Sequence, residues 1–168
     1  MTPEEIGPAI RSWWQTELAD RQSGAARALT ARIRRGTGIE IVAEPGVQRL
    51  ARILGSRDAA RLIGLVRVLA ELRGSAQSSL PRILGGDAPK LSPARFQNLM
   101  RAEGEDLTAA LIRAIRALGP ADARACAIAA LARDLWFWDD RTRARWAFDY
   151  FGAPHPEALH ATPEETDA

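Results

Sequence analysis

Arginines are the most abundant side chains in this sequence that could do chemistry. The 168 residues contain 22 arginines and one lysine, against 21 aspartates and glutamates. All basic residues lie between Arg11 and Arg145, so that residues 11–150 hold 23 basic and 15 acidic side chains, a net charge of +8. A guanidinium group donates paired hydrogen bonds to phosphate oxygens, and neutralised phosphates release counterions. This charge distribution is typical of a nucleic-acid-binding surface, although a GC-rich genome also enriches a protein in arginine.

The arginines form groups at the ends and on the solvated faces of predicted helices. At the C-terminal end of a helix, where Arg34 and Arg35 are predicted to lie, the helix dipole by itself favours cations. At the start of the last predicted helix the dipole disfavours cations, so the arginines there need another explanation. Neighbouring acids or an i,i+4 ion pair of Arg145 with Asp149 would supply part of it. The groups are Arg32, Arg34 and Arg35; Arg95 and Arg101; Arg113 and Arg116; and Arg141, Arg143 and Arg145.

Residues for acid–base or metal chemistry are scarce. The two histidines, His155 and His160, lie near the C-terminus, outside the predicted folded body, where they cannot complete a histidine-based triad. The single cysteine, Cys126, rules out a disulfide scaffold and is predicted to be a small core residue. Asp139 and Asp140 are better explained by a helix cap than by a cation site. We therefore expect a non-enzymatic protein without metal or cofactor.

Hydrophobic periodicity predicts helices along nearly the whole chain. Thr2-Pro3-Glu4-Glu5 has the pattern of a capping box, and Ser92-Pro93 has that of an N-cap followed by a proline. Residues 36–46 are predicted to form a loop with a short β-like segment. The predicted helices begin at Thr2, cover about 24–35, 45–54 and 57–73, restart at Ser92, follow Gly104, cover 121–138, and begin again at Asp139 or Asp140.

The predicted fold class is all-α, with two small helical lobes joined by a Gly/Ser/Pro-rich linker. The lobes are 1–73 and 92–152, and the linker, 74–91, has at most one turn around Leu80–Leu84. Residues 153–168 are acidic, contain three prolines and lack apolar periodicity, which predicts a disordered tail. The sequence has no apolar run that spans a membrane and no signal-peptide pattern at its start, so we expect a cytoplasmic protein.

Five tryptophans lie at helical spacing within the predicted helices. Exposed aromatic rings stack on nucleic-acid bases, whereas buried ones anchor a core. At this spacing the core role is the more frequent one. The residues are Trp13, Trp14, Trp136, Trp138 and Trp146.

Five segments follow one another in a specific order along residues 11–151. This order, the RF-x-x-L-M-R segment and the tryptophan-rich end resemble the CasB family, the small subunit of the type I-E CRISPR surveillance complex, Cascade. The loop at 36–46 and the acidic tail are not covered by the resemblance. The segments are WWQTEL, AARALTARIRR, LSPARFQNLMRAEGEDL, LIRAIRAL and LARDLWFWDDRTRARWAFDYF.

The resemblance implies a non-enzymatic, all-helical subunit, two copies of which stack along the complex. Such subunits contact the backbone of the guide-RNA/target-DNA duplex and help to hold the displaced DNA strand, which stabilises the R-loop. Base pairing recognises the sequence, and protein contacts with the backbone shift a nearly balanced strand exchange toward the R-loop. The implied partners are guide RNA, target and displaced DNA, the large subunit, the backbone subunits and a second copy of the chain.

The basic contacts of that family match several arginines of this sequence. The resemblance implies Arg34 or Arg35 at the end of the second helix, and the choice between them stays open. The family often has lysine in the linker, where this chain offers Arg82 and Lys90. The other implied contacts are Arg57, Arg95, Arg101, Arg113, Arg141 and Arg143, and the charge groups add Arg116.

A stand-alone helix-turn-helix DNA-binding regulator is the alternative function. Residues 92–118 contain two predicted helices on either side of Gly104, which suits that motif. The second of these helices places apolar residues where a groove-reading helix needs polar ones, and it has no Asn or Gln facing the groove. The sequence therefore favours the subunit over the regulator.

Overall fold

The computed structural model of the chain describes residues 1–152. Within that range the regular elements are helices, and the predicted all-α class is confirmed. The elements are α1 (Pro3–Trp14), which a π-helical turn (Gln15–Ala19) continues, α2 (Gly24–Arg35), α3 (Gly38–Val42), α4 (Pro45–Leu54), α5 (Ala59–Leu69), α6 (Leu80–Leu84), α7 (Pro93–Arg101), α8 (Gly104–Arg116), α9 (Pro120–Ala125), α10 (Ile128–Trp136) and α11 (Asp140–Tyr150).

Local capping signals fix several helix ends as predicted. At the start of α1 the backbone N–H of Thr2 donates to Glu5 Oε2 at 2.7 Å, as in a capping box. Ser92 caps α7, and Asp139 caps α11 by accepting a hydrogen bond from the Thr142 N–H at 2.8 Å. Helix α4 ends at Gly55, whose φ of 59° is the left-handed conformation that glycine adopts at low cost.

The predicted loop at 36–46 is wrong, because residues 38–42 form α3. Thr37 caps this helix by accepting from the Glu40 N–H, and its own N–H donates to Glu40 Oε2 at 2.7 Å. The β-branched Ile39 and Ile41 give the segment its β-like pattern, but the capping box starts a helix, with Ile41 in the core and Ile39 82% exposed.

The single helix predicted for 121–138 is also wrong. The chain breaks into α9 and α10 at Cys126 and Ala127, where the backbone pairs with the preceding glycine- and serine-rich segment. The Ala76 N–H donates to the Cys126 carbonyl at 3.1 Å, and the Ala127 N–H donates to the Ser78 carbonyl at 2.8 Å. These bonds replace helical ones, so the apolar periodicity continues across a gap in the helix.

Residues on both sides of 74–91 share one hydrophobic core. Helix α1 packs closely along α10, and α5 packs against α3, α8 and α10. The turn predicted at Leu80–Leu84 is confirmed as α6, and Leu80 and Leu84 are buried. The division into lobes 1–73 and 92–152 stays a prediction.

Four of the tryptophans act as core anchors whose indole N–H groups reach acceptors. Trp13 donates to the Gly46 carbonyl at 2.8 Å, and Trp14 donates to the Leu69 carbonyl at 3.1 Å. Trp138 donates to a backbone carbonyl, and Trp146 to a buried carboxylate. The core role is therefore confirmed for Trp13, Trp14 and Trp146, and for Trp136, which is also buried; Trp138 is partly buried and packs against the core.

Among the described helices, none combines the length and the hydropathy that a membrane crossing requires. The predicted acidic tail at 153–168, with both histidines, lies outside the described residues.

Gly7 tests the contact between α1 and α10. A Cβ atom at this position would lie 2.4 Å from the Ala129 carbonyl oxygen of α10. Gly7→Ala should therefore lower the free energy of unfolding by about 1–3 kcal/mol, although alanine is the better helix former. The measurement is urea denaturation, with Gly24→Ala as the control, because nothing lies within 4 Å of a Cβ there. Equal stability of the two variants would contradict this packing.

Candidate nucleic-acid interface

Two of the predicted contact residues converge on one buried carboxylate, that of Glu71. Glu71 lies just after α5, and its side chain is 5% exposed. Arg34, in the last turn of α2, donates from Nε to Oε1 at 3.1 Å. Arg116, at the end of α8, donates from Nη2 to Oε1 at 2.8 Å and from Nε to Oε2 at 3.1 Å. The fold thus joins two arginines that are 82 residues apart in the chain.

Two more arginines extend this group of charges, because the charges of Glu71 and of Arg73 both act on Arg21. Arg21 donates from Nη2 to the carbonyls of Ala70 and Leu72, each at 3.1 Å. Burial lowers the pKa of Arg21, and the nearby charges of two other arginines lower it further, while Glu71 opposes them. We call this group the Glu71 cluster; its members are Arg21, Arg34, Glu71, Arg73 and Arg116. Four guanidinium groups against one carboxylate leave the cluster strongly positive.

The arginines keep Glu71 ionised in spite of its burial. Burial acts to raise the pKa of this carboxyl. The hydrogen bond from Arg116 and the charges of Arg34 and Arg116 outweigh that effect, and the pKa of Glu71 is lowered from its ordinary value of 4.5. The cluster is therefore a fixed arrangement of charges at neutral pH.

Arg143 is held in a different way, between two acids and a ring. Its Nη2 donates to Glu103 Oε1 at 2.8 Å, and its Nη1 donates to Asp140 Oδ1 at 3.0 Å. The guanidinium lies 5.7 Å from the centre of the Trp138 ring. The hydrogen bond that Arg143 donates to Glu103 is the main reason that the pKa of Arg143 is raised. These contacts tie the start of α11 to the connection between α7 and α8.

Six of the nine predicted contact residues are exposed and form no ion pair within residues 1–152. Their guanidinium groups are therefore available to external oxyanions. Arg113 lies one helical turn before Arg116, so it extends the Glu71 cluster along α8. Of the others, one lies at the end of α2, one before α5, two on α7 and one on α11, and the structure does not join all nine in one network. The six are Arg35, Arg57, Arg95, Arg101, Arg113 and Arg141.

Of the two explanations offered for cations at the start of α11, a neighbouring acid is observed for Arg143, which pairs with Asp140, whereas the ion pair of Arg145 with Asp149 does not form. Arg145 instead donates to Asp134, a buried carboxylate that also accepts from the Trp146 indole at 2.7 Å. Asp149 faces α6, where it accepts from Arg82 Nε at 3.1 Å. A tertiary partner in each case replaces the neighbour on the same helix.

The two basic residues of the linker are also paired. Arg82 is held by Asp149, and Lys90 donates to Asp122. The linker therefore offers less unpaired charge than the exposed arginines of α7, α8 and α11.

Sequence reasoning missed three members of the Glu71 cluster and two exposed rings. Arg21, Glu71 and Arg73 carry no motif, and Glu71 reads as a polar position on a helical stripe. The exposed aromatic residues are Phe148 and Phe151, which are 47% and 65% exposed. No local signal distinguishes these phenylalanines from the buried aromatic residues beside them.

Cys126 does not provide a nucleophile. Its side chain is fully buried, and burial raises the pKa of the thiol to about 12. The predicted role as a small core residue is confirmed.

The fold and the site define an all-helical, arginine-rich protein that has no His, Cys, Asp and Glu group able to hold a metal ion within residues 1–152. The family described as CRISPR-associated protein Cse2 matches residues 31–151. The chain belongs to this family, which is the CasB/Cse2 small-subunit family of type I-E Cascade, and the resemblance is confirmed. Proteins of this family are structural subunits of that complex and are generally non-catalytic. Neither the comparison with curated proteins nor that with solved structures gives a match.

Glu71→Gln should lower the free energy of unfolding by about 1–3 kcal/mol at pH 7, because charge-assisted hydrogen bonds to two arginines are weakened. Since the pKa of Glu71 is lowered in the folded state, its contribution is complete above pH 4.5 and is lost as the pH falls through the folded-state pKa. Urea denaturation across this pH range measures both effects.

The control for this variant is Glu44→Gln. Glu44 holds one arginine, Arg32, whose side chain is 55% exposed. Glu44→Gln should therefore lower the free energy of unfolding by less than about 1 kcal/mol. A loss for Glu71→Gln that is as large at pH 3 as at pH 7 would contradict the lowered pKa.

Proposed function

We propose that the chain is a non-catalytic small subunit of Cascade that binds the sugar-phosphate backbones of guide RNA, target DNA and the displaced strand, and so stabilises the R-loop in antiviral defence. One observation carries the proposal. This chain, which belongs to the Cse2 family, has six predicted contact arginines that are exposed and lack a carboxylate partner among the described residues.

The distribution of these arginines suits an extended strand better than a compact ligand. They lie at the end of α2, before α5, and on α7, α8 and α11. Contacts spread over several elements follow a backbone without reading its bases, which is what guide-directed recognition requires of the protein. Each neutralised phosphate adds a favourable counterion-release contribution to an exchange that is nearly balanced.

The remaining partners are part of the same proposal. The large subunit, the backbone subunits and a second copy of the chain would contact it in the assembled complex. A cytoplasmic location follows from that assignment and stays a prediction.

The helix-turn-helix alternative finds little support in α7 and α8. Helix α8 buries Leu107 and Leu111 against the core, and α8 packs on α5. Its first turn carries Glu105 and Asp106, both exposed, where a recognition helix would meet phosphates and base edges. Those carboxylates repel the ligand, so a groove-reading role for α8 is disfavoured.

The proposal predicts a salt-dependent contribution from the unpaired arginines. Changing Arg95, Arg113 and Arg141 to alanine together should reduce the slope of log affinity against log salt by about 2, at ~0.7 per contact with a single strand. The measurement is target-DNA binding by the assembled Cascade complex at several salt concentrations.

A second triple variant provides a control with the same change in net charge. Arg32, Arg49 and Arg133 are held by Glu44, Glu17 and Asp134, so their replacement by alanine should change the slope much less. An unchanged slope for the first variant would reject the assignment of these sites. Sequence-specific protection of duplex DNA by the chain alone would instead support the regulator.

A further inference from the structure

Arg34 and Arg116 keep unused hydrogen-bond donors although both are bound to Glu71. Arg34 uses Nε alone, which leaves both of its Nη groups without a partner among residues 1–152. Arg116 uses Nε and one donor of Nη2, which leaves its Nη1 group without one in the same range. Since a guanidinium carries five N–H donors in a rigid fork, each arginine can still present an edge to a second oxyanion.

The burial of the three side chains sets which of them meets a ligand. The Glu71 side chain is 5% exposed, whereas those of Arg34 and Arg116 are 37% and 53% exposed. The carboxylate therefore lies beneath the two guanidinium groups and fixes them from below. An exposed carboxylate at this position would compete with the ligand for the same solvent-facing donors.

The surrounding charge favours an anion. Arg21 lies close enough to Arg34, Arg73 and Glu71 for their charges to act on it, so the Glu71 cluster holds four guanidinium groups and one carboxylate. Arg113 lies one turn before Arg116 on α8 and forms no ion pair in the described part of the chain. A phosphodiester group has the charge, and the pair of unesterified oxygens, that two adjacent guanidinium edges recognise.

We propose that one phosphodiester group of the bound strand is held jointly by Arg34 and Arg116, and that Glu71 is a positioning residue that presents these two arginines to it. The inference rests on the proposed function and deepens it, because it assigns a role to a residue that does not touch the nucleic acid. Without Glu71, each arginine would have to be ordered by the ligand itself, which weakens binding.

The direction in which one substitution changes the binding affinity separates this role from a general effect of charge. Glu71→Gln raises the net charge of the subunit by one, so an effect of charge alone would tighten binding to nucleic acid. The loss of positioning instead weakens it, by about five- to tenfold. Glu17→Gln is the matched control, because Glu17 holds Arg49 by two hydrogen bonds, at 2.6 and 2.8 Å, outside the cluster.

The experiment measures the affinity of assembled Cascade for target DNA at a fixed low salt concentration. We expect Glu71→Gln to weaken binding and Glu17→Gln to leave it unchanged or slightly tighter. Glu71→Gln should have no further effect when Arg34 and Arg116 are both alanine, because Glu71 acts through them. Binding by Glu71→Gln that equals or exceeds wild type would overturn the inference. The same would follow from an undiminished effect in the background that lacks both arginines.

A second measurement applies even if Glu71→Gln does not assemble. If one phosphate is held jointly, the double variant Arg34→Ala/Arg116→Ala should lose little more affinity than the more damaging single variant. Losses that multiply would show two independent contacts and reject joint binding. Losses that multiply, together with a reduced salt slope for the Arg95/Arg113/Arg141 variant, would reject this inference and leave the proposed function standing. An unchanged slope in that variant would reject the assignment of those three contact sites, on which the proposed function is argued.

Discussion

The apolar surface of α5 is the constraint on which the rest of the structure depends. Because this helix has apolar residues on most of its circumference, α3, α8 and α10 all pack against it. The contact with α8 is close, since a Cβ atom at Gly64 would lie 2.8 Å from the Thr108 hydroxyl. This packing brings Arg116 beside Glu71, which follows the end of α5. The position of the charged cluster is thus set by apolar burial.

Carboxylates divide the arginines into two kinds. Some guanidinium groups are already bonded to an acid within the fold, as Arg49 is to Glu17 and Arg143 to Glu103. Others, such as Arg57 and Arg95, are exposed and form no ion pair in residues 1–152. A net charge of +8 for residues 11–150 cannot show this division, because it counts both kinds equally. The distinction depends on contacts between distant parts of the chain.

Signals confined to one turn of helix predicted the fold well, and signals that depend on distant residues were missed. Thr2 and Ser92 mark helix starts because their caps involve residues three positions away. The break at Cys126 depends on hydrogen bonds with residues near Ser78, which no periodicity reveals. Arg145 has an acid four residues away, but the buried Asp134 is its partner. Glu71 joins arginines from 37 and 45 residues away, so the centre of the cluster was unpredictable.

The two kinds of arginine suit different demands of backbone binding. An exposed, unpaired arginine adapts to the path of a flexible strand, but the strand must order its side chain, which costs about 0.5–1.5 kcal/mol. An arginine held by a buried carboxylate is already ordered, but it serves only a phosphate that arrives at its position. With one phosphodiester group held by Arg34 and Arg116, as inferred above, the Glu71 cluster would fix one point of the strand on the subunit. The exposed arginines of α7 and α11 would contact other parts of the backbone, whatever its sequence.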